Sequence, residues 1–222
     1  MSKYGVRYGG GELHIPDGFL DLEIAALFYA LLIIFVGYSA YRVKKELDEN
    51  KIPFMGVVAA AIFAAQMLNW PIPGGTSAHF VGGALAGILL GPYAGCLAMT
   101  SVLVVQALVF GDGGITALGA NAWNMAVVDV FVGYYVYRAI VSRESVAIAS
   151  MVAGWLGITL AAIFAGFEVG ISEGFIYGLS ITIPVMGIWH ALLGIVEGII
   201  TSASVTYVAS SRPDILERGV KA

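Results

Sequence analysis

Three histidines occur in the 222 residues, and neutral imidazole is the commonest protein ligand for transition metals. His14 sits in a short segment, Leu13-His14-Ile15-Pro16-Asp17-Gly18-Phe19-Leu20, directly before the first long apolar run. His79 closes Pro71-Ile72-Pro73-Gly74-Gly75-Thr76-Ser77-Ala78-His79. The prolines there end one helix, the Gly-Gly pair permits a tight turn, and Thr76 or Ser77 is placed to cap the next helix. On that reading His79 falls in the first turn of the following helix, as an interfacial histidine on a loop carbonyl or as a metal ligand. No His or Cys lies within helical reach of it, so a ligand role needs a partner from elsewhere, and His14 is the candidate. Ser77 and His79 lack an orienting acid, so no catalytic residue is expected.

A second polar stretch, Phe110-Gly111-Asp112-Gly113-Gly114-Ile115-Thr116-Ala117-Leu118-Gly119-Ala120-Asn121, is rich in glycine. It has too few carboxylates for a calcium loop and lacks the lysine of a phosphate loop. Its glycines let the backbone approach another segment closely, and Asp112, Thr116, Asn121 and Asn124 can form a polar network. Asp17, Thr76, Ser77, Asp112 and Asn121 are therefore expected to support a site rather than form it. Asp129, His190 and Glu197 fall inside apolar runs, where ionisable groups are costly and are functional candidates by default. His190 and Glu197 share a helix face. They serve either as interhelical hydrogen-bonding groups or as a cation or proton route.

The elements that must position these residues are membrane helices. Mean hydropathy is +0.88 with 12% charged residues, too apolar for a soluble domain of this length. Seven segments read as helices: Leu20–Glu46, Pro53–Asn69, Ala78–Gly91, Pro92–Gly111, Gly119–Val141, Ser145–Glu168 and Gly178–Ser210. The third is short for a crossing, which takes about 20 residues. The last is overlong, and Pro184 marks a kink or its true start. With seven spans and the N-terminus outside, Arg42, Lys44, Lys45, Lys51, Arg138, Arg143, Arg212, Arg218 and Lys221 all fall on the cytoplasmic side, as the positive-inside rule requires. The outer connections then carry Asp17, Asp21, Glu23, Asp112, Glu168 and Glu173, a surface that attracts cations. The expected fold is an all-α, multi-pass protein of the cell membrane with a cytoplasmic C-terminus. It comprises an N-terminal extension over 1–12, a seven-helix domain over 13–210 and a short tail over 211–222. The N-terminus shows no signal-peptide pattern. The single cysteine, Cys96, reads as packing.

Small residues recur at i, i+4 in the second segment, as Ala60 with Ala64 and Ala61 with Ala65. Such faces permit close helix approach, within this chain or with a separate membrane subunit.

Four stretches together resemble the CbiM/NikM family: His14-Ile-Pro-Asp-Gly-Phe, Gly74-Gly-Thr-Ser-Ala-His79, Gly111-Asp-Gly-Gly-Ile-Thr-Ala-Leu-Gly-Ala-Asn121 and His190-Ala-Leu-Leu-Gly-Ile-Val-Glu-Gly198. The likeness runs from Leu13 to Tyr207. Its members are substrate-binding (S) membrane subunits of energy-coupling-factor (ECF) importers for cobalt and nickel. The resemblance implies a subunit that captures Co²⁺ or Ni²⁺ as transported ligand, without resident cofactor or ATPase of its own. Its partners would be a transmembrane coupling subunit, ATP-binding subunits and a small auxiliary membrane protein, and no nucleic acid. The Ala60/Ala64 face is the expected docking surface for the coupling subunit. The family's site is a free N-terminal amine, the main-chain nitrogen and imidazole of the next residue, and the histidine of the Gly-Gly-Thr-Ser motif. Carried over, these positions are Leu13, His14 and His79. Four nitrogens in a plane suit d⁸ Ni²⁺. Twelve residues precede Leu13 here, so either the site is altered, or the native chain begins at Leu13 through an alternative start, or trimming exposes it. The other functional reading, from the residues alone, is a stand-alone cation channel or secondary transporter using Asp129, His190 and Glu197.

Overall fold

The computed structural model describes residues 14–46, 51–67 and 69–214. The 1–12 extension, Leu13 and positions 215–222 of the tail lie outside these residues. In order come α1 (Leu22–Glu46), α2 (Lys51–Gln66), β1 (Asn69–Pro71), β2 (Ser77–His79), α3 (Gly83–Leu90), α4 (Pro92–Val105), α5 (Leu118–Ala122), α6 (Val130–Ile140), α7 (Val146–Ile171) and α8 (Leu179–Ser211). A π-helical turn, Gln106–Phe110, prolongs α4, and a second π-helical stretch, Trp123–Asp129, fuses α5 and α6 into one rod. The described residues thus make seven helical rods.

Four of these are long and apolar enough to cross a membrane, over Leu22–Lys45, Pro92–Phe110, Val146–Ile171 and Leu179–Ser211. Their outward faces carry exposed Ile33, Ile34, Leu108, Val109, Ile188, Leu192 and Ile199, a surface suited to lipid rather than water. Together with the relatives described below, they make this a multi-pass membrane protein. The helix containing Pro184 starts at Leu179 and runs through the proline.

The expected third span is the main departure. Residues 77–79 are a strand paired antiparallel with 69–71, in the register Asn69↔His79, Trp70↔Ala78 and Pro71↔Ser77. An extended link follows, and α3 then has only eight residues. At 1.5 Å per residue it rises about 12 Å, against about 30 Å of hydrocarbon. It survives because it is wrapped by protein: Gly83 to Leu89 are all buried. Non-helical backbone at membrane depth is tolerated in such a setting.

Helices α7 and α8 form the most extensive pair, and small residues let them close. A Cβ on Gly198 would stand 2.6 Å from the Met151 carbonyl oxygen, and one on Gly166 would stand 2.8 Å from that of Thr182. A larger apolar cluster gathers Ile62, Leu85, Ile88, Met99, Leu103, Val130 and Ile158 around α3. A smaller one, with Ile15, Phe19, Phe28 and Val169, lies beneath the polar end. Cys96 is buried in the first of these and forms no disulfide.

Candidate metal centre

The structure brings His14 and His79 together. Their ring centroids are 4.9 Å apart at an interplanar angle of 71°, and both residues are buried, at 4% and 5% exposure. They arrive on different elements, His14 from the segment before α1 and His79 from the end of β2.

Each ring is held by a polar group that selects its tautomer. The Nε2–H of His14 donates to Gln106 Oε1 at 3.0 Å. Gln106 Nε2 in turn donates to Gln66 Oε1 at 2.9 Å, and Gln66 Nε2 donates to the Val81 carbonyl at 2.6 Å. A terminal carbonyl can only accept, so the direction of the whole chain is fixed. It leaves Nδ1 as the lone-pair nitrogen of His14. That atom and the main-chain nitrogen of the same residue can close a chelate ring on one ion. On His79 the order is reversed: Nδ1 donates to the Phe80 carbonyl at 2.8 Å, so Nε2 carries the lone pair. Such hydrogen bonds from the distal ring nitrogen are how proteins orient metal-binding imidazoles.

The segment around His14 is fastened to the glycine-rich loop. Asn121 clamps Ile15 from both sides, its Oδ1 accepting from the Ile15 amide at 2.9 Å and its Nδ2 donating to the Ile15 carbonyl at 3.0 Å. Gly114 adds a main-chain bond to the same carbonyl at 3.0 Å. Exposed Asp17 accepts from the amide and the hydroxyl of Thr116 at 2.7 and 2.6 Å, so it fastens the segment instead of facing the rings. Gly113 has φ +82°, and a Cβ there would lie 2.9 Å from the His14 Cβ. The expected close approach of this loop is therefore what seats His14. Asp112 terminates the π-helical turn through its amide, which donates to the Gln106 carbonyl at 3.0 Å.

His79 is positioned differently from expectation. It stands in a strand, and Thr76 and Ser77 do not cap a helix. The position preceding α3 is Gly82, at φ +80° with no side-chain cap. The orphan amides there are satisfied by two carboxylates from across the bundle. Glu197 accepts from Val81 at 2.8 Å and from Gly82 at 2.7 Å, and Asp129 accepts from Gly83 at 2.8 Å. Both side chains thus brace the link behind His79. Ser77 is buried, and Thr76 contacts Met186 Sδ at 3.8 Å. Both line a cavity of about 40 Å³ with His79, Asn121, Asn124 and His190. That is room for a few water molecules. His190 donates Nδ1 to the Met186 carbonyl one turn back, at 2.8 Å. Glu168, read from sequence as an outer-surface carboxylate, is instead fully buried in α7 and accepts from Asn124 Nδ2 at 2.7 Å. It cannot attract cations at the surface.

Sequence reasoning missed Gln66 and Gln106. The available signal was the one used for Asp129 and Glu197: a polar side chain within an apolar helix, here 0% exposed at both positions. Among the described residues no cluster of three or more His, Cys, Asp or Glu forms. An ion between the two imidazoles would therefore complete its coordination with main-chain nitrogen or water. That donor set is borderline and nitrogen-rich, matched to late first-row divalent ions rather than to Ca²⁺ or Mg²⁺.

Comparison with known proteins agrees with this chemistry. Residues 14–215 match the family model CbiM, described as the cobalt uptake substrate-specific transmembrane region. A putative fused nickel transport protein, NikMN, of Archaeoglobus fulgidus is 68% identical over 93% of this chain and 68% of its own length. The cobalt transport protein CbiM of Sorangium cellulosum is 32% identical over 93% of this chain and 95% of its own. The crystal structure of a truncated transition metal transporter superposes with a TM-score of 0.86 at 39% identity, covering 89% of this chain and 98% of that one.

Proposed function

Given that the chain belongs to the CbiM family of cobalt- and nickel-transport membrane proteins, we propose that it is the substrate-capture subunit of an ATP-driven ECF importer. It takes Co²⁺ or Ni²⁺ from the outer face, at the end of the bundle bearing His14 and His79. The observation that carries this reading is the buried pair of imidazoles 4.9 Å apart, each oriented through its other nitrogen. His14 Nδ1, His79 Nε2 and the main-chain nitrogen of His14 supply three donors. The nitrogen of Leu13, which lies outside the described residues, is the fourth. Four nitrogens including a deprotonated amide favour a planar site.

ATP hydrolysis belongs to separate subunits, joined through a transmembrane coupling subunit, with a small auxiliary membrane protein completing the assembly. Ala60, Ala61 and Ala64 are exposed on α2 and Ala65 is half-buried, which supports this stripe as the coupling subunit's docking face. The alternative, a cation route through Asp129, His190 and Glu197, has less support, because both Glu197 oxygens and one of Asp129 already accept main-chain amides.

The test is metal titration by calorimetry on the full chain. His79→Ala should abolish Ni²⁺ and Co²⁺ binding while leaving the thermal transition in place, whereas His190→Ala should retain binding. Equal behaviour of the two variants would overturn the assignment.

A further inference from the structure

At the end of the bundle opposite His14 and His79 lies a cavity that metal capture does not use. It measures about 430 Å³ and is lined by Arg42, Pro92, Tyr93, Tyr134, Tyr135 and Arg138. Its position follows from three elements. Arg42 is near the far end of α1 from His14, Pro92 follows α3 where His79 precedes it, and Arg138 ends the rod whose first turns hold Asn121. From Leu22 to Arg42 the helix rises about 30 Å, one hydrocarbon thickness.

The lining has the chemistry of an anion site. Arg42 lies over the Tyr93 ring at 4.5 Å and donates to the phenol oxygens of Tyr93 at 3.0 Å and Tyr38 at 3.2 Å. These bonds hold the guanidinium between α1 and α4, beside the cavity. Arg138 stands 5.9 Å from the Tyr134 ring, and its Nη1 is buried with no hydrogen-bond partner. A buried guanidinium donor left without an acceptor is costly and rare. No carboxylate lines the cavity to supply one. Arg42, Lys44, Lys45, Arg138, Arg143 and Arg212 gather at this end, with Tyr38, Tyr41, Tyr93, Tyr134 and Tyr135 among them. That mixture marks the boundary between hydrocarbon and headgroups. Guanidinium forks match pairs of phosphate oxygens, and the surrounding phenols add O–H donors.

We propose that this cavity binds a phosphate group, held by Arg138 and Arg42, and supplied by the headgroup of an anionic phospholipid or by free phosphate. Native mass spectrometry of the full-length chain, released from micelles containing phosphatidylglycerol or phosphatidylcholine, tests it alongside thermal unfolding in millimolar inorganic phosphate. The expected result is selective retention of phosphatidylglycerol, with affinity reduced about tenfold or more in Arg138→Gln and restored in part by Arg138→Lys. Nickel titration should be the same in all three proteins, which separates this site from the metal centre. A thermal shift with inorganic phosphate that Arg138→Gln removes, without selectivity among lipids, identifies free phosphate as the source and supports the site. Should Arg138→Gln fail to fold, Arg42→Gln provides the same comparison. Equal lipid retention and equal phosphate response in wild type and variants overturn the proposal. It is equally overturned if the variants bind phosphate and lipid normally but no longer co-purify with a partner subunit, since the cavity would then serve a protein carboxylate.

Discussion

Two glutamines decide what the histidines can do. Gln106 is the acceptor that keeps the proton of His14 on Nε2, and Gln66 keeps Gln106 from turning over. Gln106→Leu should preserve the fold yet weaken Ni²⁺ binding about 10- to 100-fold, the usual effect of losing a group that orients a ligand. Calorimetry checks the affinity, and Gln106→Glu, which keeps an acceptor, should recover part of it. The pH dependence has a definite sign. Both imidazoles must be neutral to bind, and imidazoles in general take up protons near about 6.5. With the main-chain amide also losing its proton, metal affinity should keep rising by about tenfold per unit at alkaline pH and fall more steeply as pH drops below that region, by up to about a further hundredfold per unit if both rings compete. A profile that strengthened on acidification would contradict the site. The partnership of His14 with His79 was readable from the sequence, because only three histidines exist and topology left one plausible mate. The glutamines carried the same signal as Asp129 and Glu197 but a weaker one, since an uncharged amide in an apolar helix costs less than a carboxylate and its role shows only once its acceptor is seen.

At the scale of elements, the link from His79 to Gly83 matters most. The sequence there carries the small and apolar residues of a membrane helix, and the expectation of a continuous span from Ala78 was reasonable on pattern alone. What defeats it is a short hairpin and one distant contact. The 69–71 strand pairs with 77–79, and Glu197, 115 positions from Gly82, satisfies the amides that helix formation would otherwise use. Local propensity cannot register a carboxylate more than a hundred residues away. The long rods were legible because their hydrophobicity is a property of composition, and the glycine loop was legible because its glycines have no other use. Glu197→Gln tests the brace: the new amide nitrogen would face a main-chain N–H. The variant should lose about 1–3 kcal/mol of stability, read by thermal unfolding, and should bind metal more weakly because β2 shifts with the link. If Glu197 instead carried ions, the same change would block flux without altering stability.

For the molecule as a whole, the division between a polar, histidine-bearing end and a cation-rich end gives the bundle a direction. A capture subunit reconstituted alone in liposomes should show no nickel uptake driven by a gradient, and should gain uptake only with partners and ATP. Ala60→Leu combined with Ala64→Leu should lower co-purification with the coupling subunit while leaving nickel titration intact, since both side chains are exposed whereas both histidines are buried. Gradient-driven flux through the lone chain would favour the channel reading instead.

The clamp of Asn121 on Ile15, together with the bonds from Thr116 to Asp17, bears on timing. Because the neighbours of His14 are tied down through Ile15 and Asp17, its main chain cannot move away while those bonds hold. Carrying the main-chain nitrogen of His14 away from an ion would require the 14–17 strip to peel from the glycine loop, breaking five hydrogen bonds in concert. If an ion is held through that nitrogen, its residence time should follow the slow parting of two backbone segments. If this end holds a metal ion as proposed, it should behave as a latch that releases its cargo only when the whole segment is displaced.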